Sequence, residues 1–501
     1  MAEPVAADRA ADRVAELALR RMLIGGDLVD TGSEQMPVSS PGDGSSLGHV
    51  PVAGRQLVGD AVAAAEAAFP AWKRRDLRDR QAALLALADY LADDAENLAF
   101  LDAVDAGIPV GAALGEVRFT ESFIRYIAGL AYSWGGRTVP TSARGIDLTL
   151  REPFGPTARI TAFNHPLMFA AWKIAAPLLV GNTVVLKLPD QAPLSGLRLC
   201  AALRRIFPAG VVNVVTGPGQ LTGDALVRHP GIKRIAFIGS VATGRRILSV
   251  AAERNVPVTA ELGGKNAHIV AGDANLDRAA ECAVTGMSYR GAGQSCGSYS
   301  RVLVHDSVYD ELVDRIAGLT KGLRVGHPLD PRTQVGPLIS SAAVSRALST
   351  VQEAVDAGAS LVAGGTVPAV ESPMVKGTAG GHYLTPTVVG DVEAGMGIAR
   401  QELFAPVQAV MRWSTLDEAI ELANGTEFGL CASVHSSDLR TVMTLAEALE
   451  VGSVAVNGSG AQHWVGAPFG GIKSSGIGGK EDSLDELLEA TFEKNVFISM
   501  A

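Results

Sequence analysis

Cys296 sits in Gly291-Ala-Gly-Gln-Ser-Cys-Gly297. Its small neighbours let a ligand approach the main chain closely. A thiolate there can attack a carbonyl carbon and later leave as a thioester. A lone cysteine is more often a small buried hydrophobe, so its company decides. Glu261, in Val258-Thr-Ala-Glu-Leu-Gly-Gly-Lys265, closes an apolar run and precedes two glycines. Desolvation would raise its pKa and let it take a proton from water; if solvated, it is an ordinary strand-end acid. Asn164, in Ala162-Phe-Asn-His-Pro-Leu167, follows the apolar run 158–161. Its amide could donate to a developing oxyanion, worth roughly 2.7–4 kcal/mol in other systems, or simply stabilise the turn before Pro166. Two glycine-rich turns, Thr216-Gly-Pro-Gly219 and Gly239-Ser-Val-Ala-Thr-Gly244, lack the GxGxxG spacing and are weak dinucleotide signals taken singly.

The elements that must position these residues alternate. Strands are expected at 158–161, 182–188, 211–215, 232–238 and 256–262. Helices are expected from Pro193, from Gly219 to His229, and over 241–254 with Ser240 as N-cap. Such repeats imply a parallel sheet covered on both faces, with ligands beyond the carboxyl ends of its strands. A second series begins after Gly264, with strands at 267–270 and 301–304 flanking a helix at 276–289, and 364–381 reads as a surface loop.

The chain has 501 residues, 47% hydrophobic and 19% charged, enough for two or three well-packed domains. Its 43 basic and 53 acidic residues leave a net charge of −10, which argues against nucleic-acid and anionic-membrane surfaces. Four scattered cysteines without CxxC spacing suggest a reduced, cytoplasmic protein and no metal cluster. Residues 1–21 have no apolar signal-peptide core and read as a surface helix or frayed tail. The apolar stretch 168–186 is broken by Lys173, Gly181 and Asn182, a poor membrane span.

Taken together, Phe163-Asn-His-Pro-Leu167, Lys187-Leu-Pro-Asp190, Phe207-Pro-Ala-Gly-Val-Val-Asn213, Phe237-Ile-Gly-Ser240 with Gly244, Glu261-Leu-Gly-Gly264, Gly293-Gln-Ser-Cys296, Gln401-Glu-Leu-Phe404 and Pro468-Phe-Gly-Gly-Ile-Lys473 resemble the aldehyde dehydrogenase superfamily in order and spacing. The resemblance covers about residue 20 to the end. It implies an α/β fold of two Rossmann-like parallel-sheet domains plus a small oligomerisation β element. The dinucleotide-binding domain would take 1–135 and 152–264, and the catalytic domain 265–470. A bridging segment would take 136–151 and 471–501, its tail 492–500 adding a strand to a neighbour's sheet.

By the same resemblance, Cys296 is the nucleophile, Asn164 and the Cys296 N–H form the oxyanion hole, Glu261 activates water, and Lys173 matches a relay lysine. NAD, with NADP as the alternative, would be held by Lys187 and Asp190 at the adenosine ribose. Gly219, Gly239, Ser240 and Gly244 would sit at the pyrophosphate turns, with Phe163, Leu262, Glu402 and Phe404 around the nicotinamide half. No metal is required, because the oxidised cofactor is the electron sink. Asp190 is shorter than the Glu common in NAD-preferring members, and the segment around Lys480 and Glu481 carries one extra residue or a shifted one, so neither Lys480 nor Glu481 is given a role. His165, Phe169, Trp172, Ser295, His463 and Trp464 are candidates for an aldehyde tunnel; Phe and Trp suggest an apolar or aromatic substrate, while the two histidines could instead meet a polar or acidic tail. The family resemblance also implies a homodimer or homotetramer.

The competing readings are a CoA-acylating or semialdehyde dehydrogenase of the same fold, a non-catalytic binding protein, and a thiol protease. Glu261 argues against CoA as acyl acceptor, and the joint presence of Cys296, Glu261 and Asn164 argues against a binding protein. No histidine is placed in sequence to pair with Cys296. Rapid alkylation of Cys296 by iodoacetamide is the expected mark of the enzyme.

Overall fold

β-Branched runs at 183–187, 212–215 and 234–237 are buried on both faces, as expected of strands covered by helices on either side. The computed structural model describes residues 7–32, 34–140, 145–371, 380–459 and 464–500. In it, Val212–Val215, Thr183–Lys187, Pro156–Ile160, Arg234–Ile238 and Val258–Glu261 lie side by side and parallel in that spatial order. Strand order therefore reverses at Pro156–Ile160, and the crevice beyond its carboxyl end is where an open α/β sheet takes ligands. Antiparallel strands Met22–Ile24 and Asp27–Val29 extend one edge, and Gly476–Ile477 closes the other against Val258–Glu261.

The second sheet is seven-stranded: Ser360–Ala363, Thr387–Gly390, Val407–Trp413, Arg301–His305, Ala267–Val270, Cys431–His435 and Ser453–Val456. Only Ser360–Ala363 runs antiparallel to its neighbour. Each sheet has its own apolar core: Leu186, Leu197 and Val214 belong to the first, Ile269, Leu303 and Val434 to the second.

Three expectations change in detail. The expected helix from Gly219 to His229 is a π-turn, Gly219–Gly223, leading into a short helix, Asp224–Arg228. The N-terminal segment is a helix, Ala7–Leu17, that buries Val14 and Leu17 in the first core and so is no frayed tail. The tail strand Thr491–Ser499 pairs along its length with Gly145–Pro153 of its own chain, which in turn pairs with Thr138–Val139. It is thus the outer strand of an intramolecular sheet and needs no neighbour to complete that ladder. No helix among the described residues is long and apolar enough to cross a membrane.

Candidate active site

Beyond the strand-order reversal lies a cavity of about 820 Å³, bounded among others by Asn164, Lys187, Ser240, Glu261, Cys296 and Glu402. The segment carrying Cys296 follows the helix Leu276–Gly286 through a sharp turn, with Ser288, Ala292 and Gly293 all at positive φ. Gly293 is required there: a Cβ would lie 2.4 Å from the Ala405 carbonyl oxygen. Asn266 then fixes the loop. Its Nδ2 donates to the Cys296 and Ser298 carbonyls at 2.7 and 2.9 Å, while its Oδ1 accepts the Cys431 N–H at 3.1 Å.

Cys296 is partly exposed on the cavity side. Burial of the sulfur, followed by the nearby Glu402 and Glu261 carboxylates, pushes its thiol far above the ordinary range. Glu261 is 4% exposed, and neither of its oxygens has a hydrogen-bond partner among the described residues. Burial first, then the Glu481 charge, raises it well above the usual carboxylate range, with Lys173 opposing. Asn164 is buried just ahead of the helix Pro166–Leu179, and its amide makes no hydrogen bond to the described residues.

The residues expected at a cofactor border the same cavity, with one exception. Lys187 pairs with Asp190, whose Oδ2 accepts the Gly219 N–H at 3.0 Å. Ser240 caps the helix Val241–Ala252, accepting the Thr243 N–H, so the positive end of that helix faces the cavity beside Gly239. Phe163 and Phe404 meet edge to face at 6.0 Å, and Leu262 lies on the same wall. Glu402 accepts the Gly264 N–H at 2.8 Å and is pushed up to about 7, chiefly by burial. Gly263 is what admits it, since a Cβ there would collide with Glu402 Oε2 at 2.2 Å. The exception is Gly244: it lies away from the cavity and makes room for Leu262, 2.6 Å from where its Cβ would be.

The profile described as "Aldehyde dehydrogenase family" matches residues 28–496. The chain belongs to the aldehyde dehydrogenase family. It is 39% identical over 485 residues to aldehyde dehydrogenase tropH of Talaromyces stipitatus, covering 95% of this chain and 93% of that one. It is 40% identical over 449 residues to retinaldehyde dehydrogenase 3 of Mus musculus, covering 88% and 85%. The NAD+ complex of aldehyde dehydrogenase from Bacillus cereus superposes with a TM-score of 0.92 at 34% identity, covering 97% and 98%. This aldehyde dehydrogenase is therefore an oxidoreductase that takes an aldehyde to an acid.

Among the described residues, the remaining expected positions of this aldehyde dehydrogenase lie outside the cavity wall. Lys173 is buried and donates to Glu481 at 2.6 Å and to Asp482 at 3.2 Å, so that segment brings two acids to the lysine. His165 Nδ1 meets Glu116 Oε1 at 3.0 Å and stands edge-on to Phe169. Trp172 packs 4.0 Å from Phe123 and 5.6 Å from Phe119, making an aromatic wall. Ser295 Oγ accepts the Gly297 N–H at 3.3 Å. Trp464 is 75% exposed, and His463 lies outside the described residues.

Sequence reasoning missed Asn266, the Glu481–Asp482 pair, and Ala343 and Arg346, which the helix Ser341–Asp356 brings to the cavity. No local signal marks them: Asn266 and the Glu481–Asp482 pair act through partners distant in the chain, and Ala343 and Arg346 reach the cavity by tertiary packing alone. No histidine borders the cavity among the described residues, which removes the partner a thiol protease would need.

Proposed function

We propose that this enzyme oxidises an apolar or aromatic aldehyde with NAD+ through a thioester on Cys296. The observation that carries the reading is that Cys296, Glu261 and Asn164, from three separate stretches of chain, border one cavity with the expected nucleotide residues. That cavity fits a dinucleotide. Gly219 leaves open space where its Cβ would point, the helix Val241–Ala252 offers its N-terminus to a pyrophosphate, and Gly263 and Gly264 let Glu402 close on the far wall. Lys187 and Asp190 would hold the adenosine ribose, and Glu402 and Phe404 the nicotinamide ribose. The Asp190 charge disfavours a 2′-phosphate, so NAD is the cofactor and NADP the alternative.

Cys296, once deprotonated, attacks the aldehyde carbon. Asn164 Nδ2 and the Cys296 N–H stabilise the oxyanion of the resulting thiohemiacetal. The oxidised nicotinamide, when bound, supplies the hydride acceptor. Glu261 then takes a proton from the water that attacks the thioester, and the Cys296 thiolate leaves. Glu261 sets this apart from a CoA-acylating relative, which has no use for a water-activating carboxylate. The aromatic wall of Phe169, Trp172 and Phe123 supports an apolar or aromatic substrate. The exposed Phe492, Phe497 and Ile498 on the outer strand support assembly into a homodimer or homotetramer. The composition suits the cytoplasm.

The test is Cys296→Ala: aldehyde-dependent NADH formation should vanish while the melting temperature stays. Undiminished turnover would refute the reading. A substrate panel should rank benzaldehyde above betaine aldehyde in kcat/KM, and the reverse ranking would refute the substrate class.

A further inference from the structure

The cavity does not end at the residues assigned to the adenosine ribose. Lys187 reaches Gly223, where a Cβ would lie 3.9 Å from Lys187 Cε, and past Gly223 the cavity runs on between the helices Asp224–Arg228 and Val241–Ala252. Thr243, Arg246, Ile247 and Val250 recur at helical spacing on the face that borders it. Val227, Phe237, Ile247 and Val250 are buried and line an apolar slot. Its rim is charged. Asp224 Oδ1 accepts from Arg246 Nη2 at 2.9 Å, and Asp224 Oδ2 accepts from Arg228 Nε at 3.0 Å. Burial would raise the Asp224 carboxyl, but the hydrogen bonds from Arg246 and Arg228 hold it below the usual range, so it is ionised at neutral pH and can only accept. Arg246 has no second side-chain partner among the described residues. Its side chain is 60% exposed, and an ion pair so open to water adds little to stability. Neither Asp224 nor Arg246 belongs to the motifs that carry the family resemblance.

We propose that Asp224 and Arg246 read the base of the dinucleotide and select a 6-aminopurine over a 6-oxopurine. This rests on the cofactor reading above, which puts the adenosine ribose at Lys187 and Asp190. A base beyond that ribose enters the slot, where the apolar side chains cover a flat ring. The edge of a 6-aminopurine carries an amino donor next to a ring-nitrogen acceptor. The rim offers the complement, a carboxylate acceptor next to a guanidinium donor, and each carboxylate oxygen keeps a lone pair after bonding its arginine. A 6-oxopurine reverses both positions: its carbonyl oxygen would face the carboxylate and its N1–H the guanidinium, and neither would be paired. Asp224 and Arg246 thus touch the cofactor, while Arg228 positions the carboxylate from the same short helix.

The test compares NAD+ with nicotinamide hypoxanthine dinucleotide, which differs only at that edge of the base. Both are titrated calorimetrically into the wild type, Asp224→Asn and Arg246→Leu, with thermal melts to confirm folding. The wild type should bind NAD+ at least about tenfold more tightly than the hypoxanthine analogue, the worth of one hydrogen bond to a charged group. Asp224→Asn keeps the shape but supplies an amide that can donate to the carbonyl. It should weaken NAD+ about tenfold and bring the two dinucleotides within about twofold of each other. Arg246→Leu keeps the apolar cover and should narrow the preference in the same direction. Equal wild-type affinity for the two dinucleotides overturns the proposal. So does a preference that survives in folded Asp224→Asn, because a merely structural ion pair would weaken both dinucleotides alike. Should that variant fail to fold, a preference that survives in Arg246→Leu overturns it instead. A wild type that binds neither dinucleotide overturns the cofactor reading, and the proposal falls with it.

Discussion

The Asn266 side chain donates to the Cys296 carbonyl oxygen at 2.7 Å and accepts the Cys431 N–H at 3.1 Å, tying the nucleophile's loop to the strand Cys431–His435. Gly264 stands so close that a Cβ there would lie 2.4 Å from that same carbonyl. The thiol is thus placed by a bracket at the start of the second sheet. Asn266→Ala leaves its partners unpaired in a buried place, at about 1–3 kcal/mol each. Displacement of the sulfur by even 1 Å should lower kcat by roughly 10²-fold. Cofactor affinity should hold, since Asn266 is off the cavity wall. Urea denaturation and a kcat-against-KM comparison check both, and an unchanged kcat would deny Asn266 its role.

Cys296 should alkylate slowly in the free enzyme, contrary to the sequence-based expectation of rapid labelling. Burial and two neighbouring carboxylates hold the thiol in its neutral form, and only the thiolate reacts. The rate with iodoacetamide at pH 7 should fall below that of an ordinary thiol of pKa about 8.5, and rise about tenfold per pH unit through the alkaline range. Mass-spectrometric labelling between pH 7 and 9 measures it. A pH-independent rate would mean that the thiolate is already present.

Most of the first sheet was legible because its strands carry β-branched runs, punctuated by glycine and proline, and buried on both faces. Ser240 was legible as a cap because a hydroxyl just before a helical run has a local consequence. Gly244 was misread: a glycine in a motif says that something comes close, without saying whether it is ligand or Leu262. Lys173 could be matched by resemblance, but its partners Glu481 and Asp482 lie some 308 and 309 positions away across an irregular turn. Registers of that kind are set by tertiary packing and leave no periodic trace. The tail strand was read from the family resemblance, which did not say that the strand also pairs along its length with Gly145–Pro153 of its own chain.

Glu402 makes cofactor binding depend on pH. Burial pushes it up to about 7, so it is largely protonated at pH 6 and ionised at pH 8. The ionised form is the stronger acceptor for ribose hydroxyls, so NAD+ affinity should rise from pH 6 to pH 8. In Glu402→Gln the affinity should be weaker and flat over that range. Titration of intrinsic tryptophan fluorescence with NAD+ gives both curves. A wild-type affinity that falls with rising pH would remove Glu402 from the ribose site.

Two histidines in the second sheet make the fold sensitive to acid. His268 and His435 meet with rings tilted by 48° and centroids 4.6 Å apart, both buried, with His268 Nε2 against the Ala279 carbonyl at 3.0 Å. Burial holds both below their ordinary range, His435 at about 4, and the His435 charge further opposes protonation of His268. The folded state therefore binds fewer protons than the unfolded state below pH 6.5. Their neutral burial contributes stability that is full above that pH and is lost as pH falls toward 4. For His435 alone the loss is on the order of 3 kcal/mol. Buried acids with raised pKa values, such as Glu402 and Asp482, act in the opposite direction, so the informative quantity is a difference between variants. Between pH 6.5 and 5 the melting temperature of His435→Asn should fall less steeply than that of the wild type. Parallel curves would show that the imidazole takes up its proton equally in the folded and unfolded states.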